Sequence, residues 1–182
     1  MEFARTVLSL SVFSALIVVA GCGSSESSSD SGDNLPPLAT LHINELQPSN
    51  QDTVTDEHGD ADDWLEIYNS GSAAVDLKDY AFSDGSGLQQ TIQGTLSVPT
   101  GGYVLLWADG SPSQGVNHLG FKLKASGDQV SFKDAYGRTV DSVIFGSATG
   151  QNSYARYPEG AGAFSWCGKP TPGVSNGSAC SP

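Results

Sequence analysis

The sequence predicts an all-β body, a sandwich or barrel, and three observations carry that prediction. From Ala39 onward no window repeats its apolar residues every 3.6 positions, as an amphipathic helix would. Short runs rich in β-branched and aromatic residues appear instead, separated by Gly, Pro, Asp and Asn. The composition agrees: 22 Gly and 9 Pro in 182 residues, with 38% hydrophobic, is a poor recipe for a helical bundle or coiled coil. The net charge of −12 excludes a basic, phosphate-gripping face, so no nucleic-acid partner is expected.

The chain opens with an address. Residues 1–21 read as a secretory signal, with Arg5 as the positive n-region and Val7 to Ala20 as the apolar h-region. That h-region is about 14 residues, short of the roughly 20 a membrane span needs. It ends in Val19-Ala20-Gly21-Cys22, which resembles the bacterial lipobox. The resemblance implies cleavage before Cys22, a fatty-acyl anchor (palmitate among its chains) on that cysteine, and membrane attachment at about 0.8 kcal/mol per buried methylene. Removing Glu2 and Arg5 leaves the side-chain charge at −12. Gly23 rather than Asp after the cysteine favours, by the same resemblance, the outer membrane of a bacterial cell envelope. Residues 22–37 then form a Ser/Gly/acidic tether that lacks the apolar surface to offset ordering, stiffened at its end by Pro36 and Pro37. Residues 38–182 form the domain.

Within the domain, Leu41 to Leu46 begins by alternating apolar and polar, as does Asp63 to Tyr68, with Leu65 and Ile67 on one face and Trp64, Glu66 and Tyr68 on the other. Ala74 to Leu77 and Tyr80 to Phe82 are shorter candidates. Tyr103 to Trp107 is continuously apolar and reads as a central strand covered on both faces. Gln129 to Phe132 and Val140 to Phe145 flank the turn Asp134-Ala135-Tyr136-Gly137 as a hairpin. Ser153 to Tyr157 is one further strand. Trp64, Leu65, Ile67, Leu105, Trp107, Phe132, Val143 and Phe145 are the expected core. Cys167 and Cys180, an even pair in an exported chain, are expected to bridge, closing a loop of about 14 residues worth about 3 kcal/mol.

The order of these motifs resembles the bacterial lamin-tail domain. It runs from Ile43-Asn44-Glu45-Leu46 through Asp63-Trp64-Leu65-Glu66-Ile67-Tyr68-Asn69, Val75-Asp76-Leu77, Gly101-Gly102-Tyr103-Val104-Leu105, Gly120-Phe121-Lys122-Leu123, Gly127-Asp128, Val140-Asp141-Ser142-Val143 and Ser153-Tyr154-Ala155-Arg156 to Thr171-Pro172-Gly173-Val174-Ser175-Asn176. The resemblance spans roughly residues 39–176. It implies an immunoglobulin-like β-sandwich used as an accessory module on exported or membrane-bound proteins, and it carries no activity. Asn44 and Asn69 are expected to bond nearby backbone, and Gly101-Gly102 to permit a positive-φ turn. Glu45 and Glu66 sit in apolar-rich strands; either they lie on a solvated face or accept backbone bonds, or they need other donors or a cation.

The densest local feature is acidic. Asp52, Asp56, Glu57, Asp60, Asp62, Asp63 and Glu66 fall in a stretch without Lys or Arg. A hard cation with six to eight oxygen ligands relieves such repulsion, making Asp56, Asp60, Asp62 and Asp63 candidate calcium ligands, although the EF-hand order is missing; a solvated acidic loop is the alternative. No other cofactor is expected. Tyr136 at the hairpin tip, with Tyr154, Tyr157 and Trp166, are candidate binding aromatics; packing at the sandwich edge is the alternative. The histidines are His42, His58 and His118, and there is no Gly-x-Ser-x-Gly elbow, His-Glu-x-x-His or phosphate loop, so an enzyme, such as a small hydrolase, is not expected. The expected work is non-catalytic: a tethered module binding an envelope protein, a polymer or a glycan, or a scaffold ordering an envelope complex.

Overall fold

The computed structural model describes residues 35–180; the signal, Cys22 and most of the tether lie outside the described residues. Eleven strands follow in order: β1 Leu41–Gln47, β2 Trp64–Asn69, β3 Val75–Asp76, β4 Ala81–Asp84, β5 Gln89–Thr91, β6 Ser97–Val98, β7 Tyr103–Trp107, β8 Asp128–Lys133, β9 Thr139–Phe145, β10 Ser153–Tyr157 and β11 Ala163–Cys167. A short 3₁₀ turn, Gly177–Cys180, closes the body.

Two antiparallel sheets make an immunoglobulin-like sandwich. The larger has the order β11-β10-β1-β2-β7, the other β5-β4-β8-β9, and β3 and β6 form a two-stranded ribbon. One apolar cluster joins Leu46, Leu65, Ile67 and Leu106 of the first sheet to Phe82, Val130, Phe132, Val143 and Phe145 of the second. Phe82 and Phe132 face each other across β4 and β8 with ring centroids 5.1 Å apart. Burying such side chains on one face of each sheet is what holds two sheets together, at roughly 1.5–3 kcal/mol per large side chain.

The alternation in β1 breaks for a reason. The register against β2 pairs Ile43 with Ile67 and then Glu45 with Glu66, leaving Asn44 as a bulge. The extra residue lets both Ile43 and Leu46 join the core while Glu45 turns to the opposite face. The β8–β9 hairpin forms where expected. Its turn is fixed by Asp134, which accepts the amides of Tyr136 (3.0 Å) and Arg138 (2.9 Å), and by Gly137 at φ 79°. Gly101 likewise turns at φ 64° before β7.

Two expectations need correction. The apolar run of β7 reads as a central strand, yet β7 is an edge of its sheet, and Tyr103, Val104 and Leu105 are only half-buried. The central strands are β1 and β2, flanked on both sides. Their outer face is also covered, so Trp64 and Glu66 are as deeply buried as Leu65 and Ile67. The covering layer is the C-terminal segment. Cys167 and Cys180 are bridged, with Cα atoms 4.8 Å apart, and both pack on Ala155 of β10.

Candidate functional site

The outer face of β1 and β2 carries a buried polar network rather than an open site. Glu45 and Glu66, cross-strand neighbours, are both fully buried. Thr171 donates to Glu45 through its amide (3.0 Å) and its hydroxyl (2.9 Å). The Gly173 amide and Asn44 Nδ2 donate to Glu66 at 2.6 and 3.1 Å. Asn176, also fully buried, donates through Nδ2 to the carbonyls of Arg156 (2.8 Å) and Asn44 (3.2 Å). Burial pushes the Glu66 carboxyl up to about 8 against these donors, and burial raises Glu45 as well. The two carboxyl groups therefore accept backbone bonds and pin residues 171–176; three sequence motifs meet here as one lock.

The acidic loop between β1 and β2 is organised around Asp56. Its amide donates to the Asp60 carbonyl (3.0 Å), and its Oδ1 accepts the amides of His58 (2.8 Å) and Asp60 (2.9 Å). Gly59, at φ 88°, makes that tight turn. Burial resists charge on Asp56, but those amides and the nearby histidines hold its pKa below the usual carboxylate range. Its Oδ2 is buried without a hydrogen-bond partner. Oxygens of Asp56, Asp60 and Asp62 lie within 4.8 Å of one another. Asp63 does not join them. It is half-buried, its pKa pushed up to about 6 by burial, and its carbonyl accepts the Ala108 amide (2.7 Å).

Beside this loop lies an arrangement that sequence spacing did not reveal. The loop after β7 returns His118 against Trp107, and His118 Nδ1 meets Asp109 Oδ2 at 2.6 Å while Nε2 meets Glu57 Oε1 at 3.2 Å. Burial disfavours the imidazolium, but the hydrogen bonds to Asp109 and Glu57 outweigh it and raise the His118 pKa. Both ring nitrogens are occupied, so His118 clamps two loops together and is not free to act as a base. His118 also borders a cleft of about 340 Å³, lined by Gln90, Gln93, Pro112, Ser113 and Val116 among others.

The four candidate aromatics do not form one patch. Tyr154 and Trp166 are half-buried with ring centroids 4.9 Å apart, and they pack, with Phe164, against the inner core. Tyr136 and Tyr157 are exposed, but stand on the β8–β9 turn and at the end of β10, in different sheets.

Residues 36–147 match the Lamin Tail Domain, more than half of the chain. The chain belongs to the lamin tail domain family. That family is one of immunoglobulin-like binding and structural domains, and the all-β sandwich and buried core of this lamin tail domain protein agree with it. The match ends before β10 and β11, whereas the folded body runs on through Cys180. Among curated proteins none matches this lamin tail domain chain closely enough to count as a relative.

Proposed function

We propose that this lamin tail domain protein is a non-catalytic binding module, carried on an acylated Cys22 by the flexible 22–37 tether at the surface of a bacterial envelope membrane, with residues 38–182 as the binding domain. The observation that carries the reading is the cleft of about 340 Å³ beside His118. It is lined by the amide and hydroxyl side chains of Gln90, Gln93 and Ser113 together with the apolar Pro112 and Val116. Neutral donors and acceptors set beside apolar surface suit a hydroxyl-rich, uncharged ligand, and a glycan of the cell envelope has that chemistry. The one titratable group at the rim, His118, has both nitrogens engaged, which supports binding over turnover.

Detergent-solubilised full-length protein should be retarded on electrophoresis through gels containing soluble envelope polysaccharide, and Gln90→Ala with Gln93→Ala should abolish the retardation. No retardation with any such polysaccharide, together with stoichiometric co-purification of an envelope protein, would replace this reading with the scaffold one. The anchor is checked separately: the mature N-terminus should be an acylated Cys22 by mass, and Cys22→Ser should release the protein from the membrane fraction.

A further inference from the structure

The acidic loop carries more than repulsion. Asp56 is nine-tenths buried, at 8% exposure, and its Oδ2 has no donor. A buried carboxylate oxygen left without a partner is costly, and a carboxylate whose Oδ1 is already held by two amides is not free to rotate to find one. Two neighbouring carboxylates, Asp60 and Asp62, bring oxygens within 4.8 Å of an oxygen of the same Asp56 carboxylate, where a shared positive charge would satisfy all three groups at once.

We infer that Asp56, Asp60 and Asp62 form a calcium site. The donor set is all oxygen, which suits a hard cation. Three oxygens within 4.8 Å of one another share a centre no more than about 2.8 Å from each, so side-chain shifts of roughly a few tenths of an ångström bring them to the usual 2.3–2.6 Å of Ca²⁺. Lys122 is a weak substitute. Its Nζ reaches only Asp62, at 3.8 Å, from a side chain that is 67% exposed. The neighbouring trio of Asp56, Asp109 and His118 also gathers ligand atoms. Its members are already committed: Asp109 Oδ2 holds His118 Nδ1 at 2.6 Å and Asp109 Oδ1 accepts the Ser111 amide at 2.8 Å. An ion there must first break that pair, so the oxygen trio is the site. None of the three aspartates lines the glycan cleft, and either site can stand if the other falls.

The test is isothermal titration of CaCl₂, MgCl₂ and ZnCl₂ into chelator-treated, detergent-solubilised full-length protein, with thermal melts alongside. One calcium is expected to bind with a Kd on the order of 10⁻⁴–10⁻³ M, the range of extracellular modules, and to raise Tm. Asp60→Asn with Asp62→Asn should weaken it at least tenfold; both side chains are at least partly exposed, and the double variant keeps the amide bonds to Asp56 that shape the turn. Asp56→Asn, which retains an Oδ1 acceptor, should do the same. Absence of both binding heat and Tm shift would overturn the assignment. So would full calcium affinity in the double variant, equal affinity for magnesium, or tighter binding of zinc, which would place the ion on His118.

Discussion

Replacing Glu66 by glutamine should remove a pH dependence that the wild-type fold builds in. The carboxyl is fully buried on β2, and burial pushes its pKa up to about 8, while the unfolded chain holds it near 4.5. Between those values the folded protein carries one more proton than the unfolded chain. Stability contributed by Glu66 is therefore fully present below pH 4.5 and is lost as pH rises toward 8, at about 1.4 kcal/mol per unit. From pH 5 to pH 7 the loss is about 3 kcal/mol. The glutamine variant cannot ionise and escapes it. Its amide nitrogen must, however, face one of two donors, Asn44 Nδ2 or the Gly173 amide, so at pH 5 the variant starts about 1–2 kcal/mol less stable than wild type. The two stability curves should cross between pH 5 and pH 7. Urea unfolding followed by the fluorescence of the buried Trp64 and Trp107, at half-unit pH steps, measures the difference directly. A difference that stays constant with pH would refute the argument, because it would mean that Glu66 is ionised in the folded protein.

Two further outcomes follow from the same outer face and its border. Cys167→Ser with Cys180→Ser, opening a loop with sequence separation 13, should cost about 3 kcal/mol and lower Tm by several degrees; an unchanged melt would show that residues 171–176 hold without the bridge. Arg156 donates to both oxygens of Asp141 (3.0 and 2.9 Å) and to the Ile43 carbonyl (2.9 Å), and its guanidinium stacks on Phe164. Arg156→Met should destabilise by about 2–3 kcal/mol, the low end for a broken buried pair because the two side chains keep 16% and 15% exposure, and Asp141→Asn in the same chain should recover part of it in a double-mutant cycle.

The fold was legible where pattern and packing agree. The β8–β9 hairpin, β2 and the Val130, Phe132, Val143 core follow from alternation and turn chemistry, because one face of each strand meets the opposite sheet. Position within a sheet was less legible. The run Tyr103 to Trp107 reads as doubly covered, yet only its end is buried: Leu106 faces the core between the sheets and Trp107 lies against a returning loop. β5, β6 and β11 carry polar or mixed residues whose strand state comes from their neighbours rather than from their own propensity. At the candidate site, the spacing of Asp56, Asp60 and Asp62 within one loop made their meeting readable, since a turn can close over four residues. Asp109 shares the loop of His118, but Glu57 stands 61 positions away on another loop, and the pairing of β2 with β7 brings the two loops together. Glu45 and Glu66 were recognisable as unusual, but their backbone donors lie more than a hundred positions away, at Thr171 and Gly173.

That separation sets an order of events. Strands β1 and β2 lie early in the chain, yet their two carboxyl groups find no backbone amide to meet them until residues 171–176 arrive. A chain still being synthesised would hold its middle sheet half-finished, with acids exposed that the finished molecule hides. Completion would wait for the last dozen residues, and oxidation of Cys167 with Cys180 would then latch the seam. A fragment stopped at residue 147, where the family match ends, would lack the piece that makes its own centre stable.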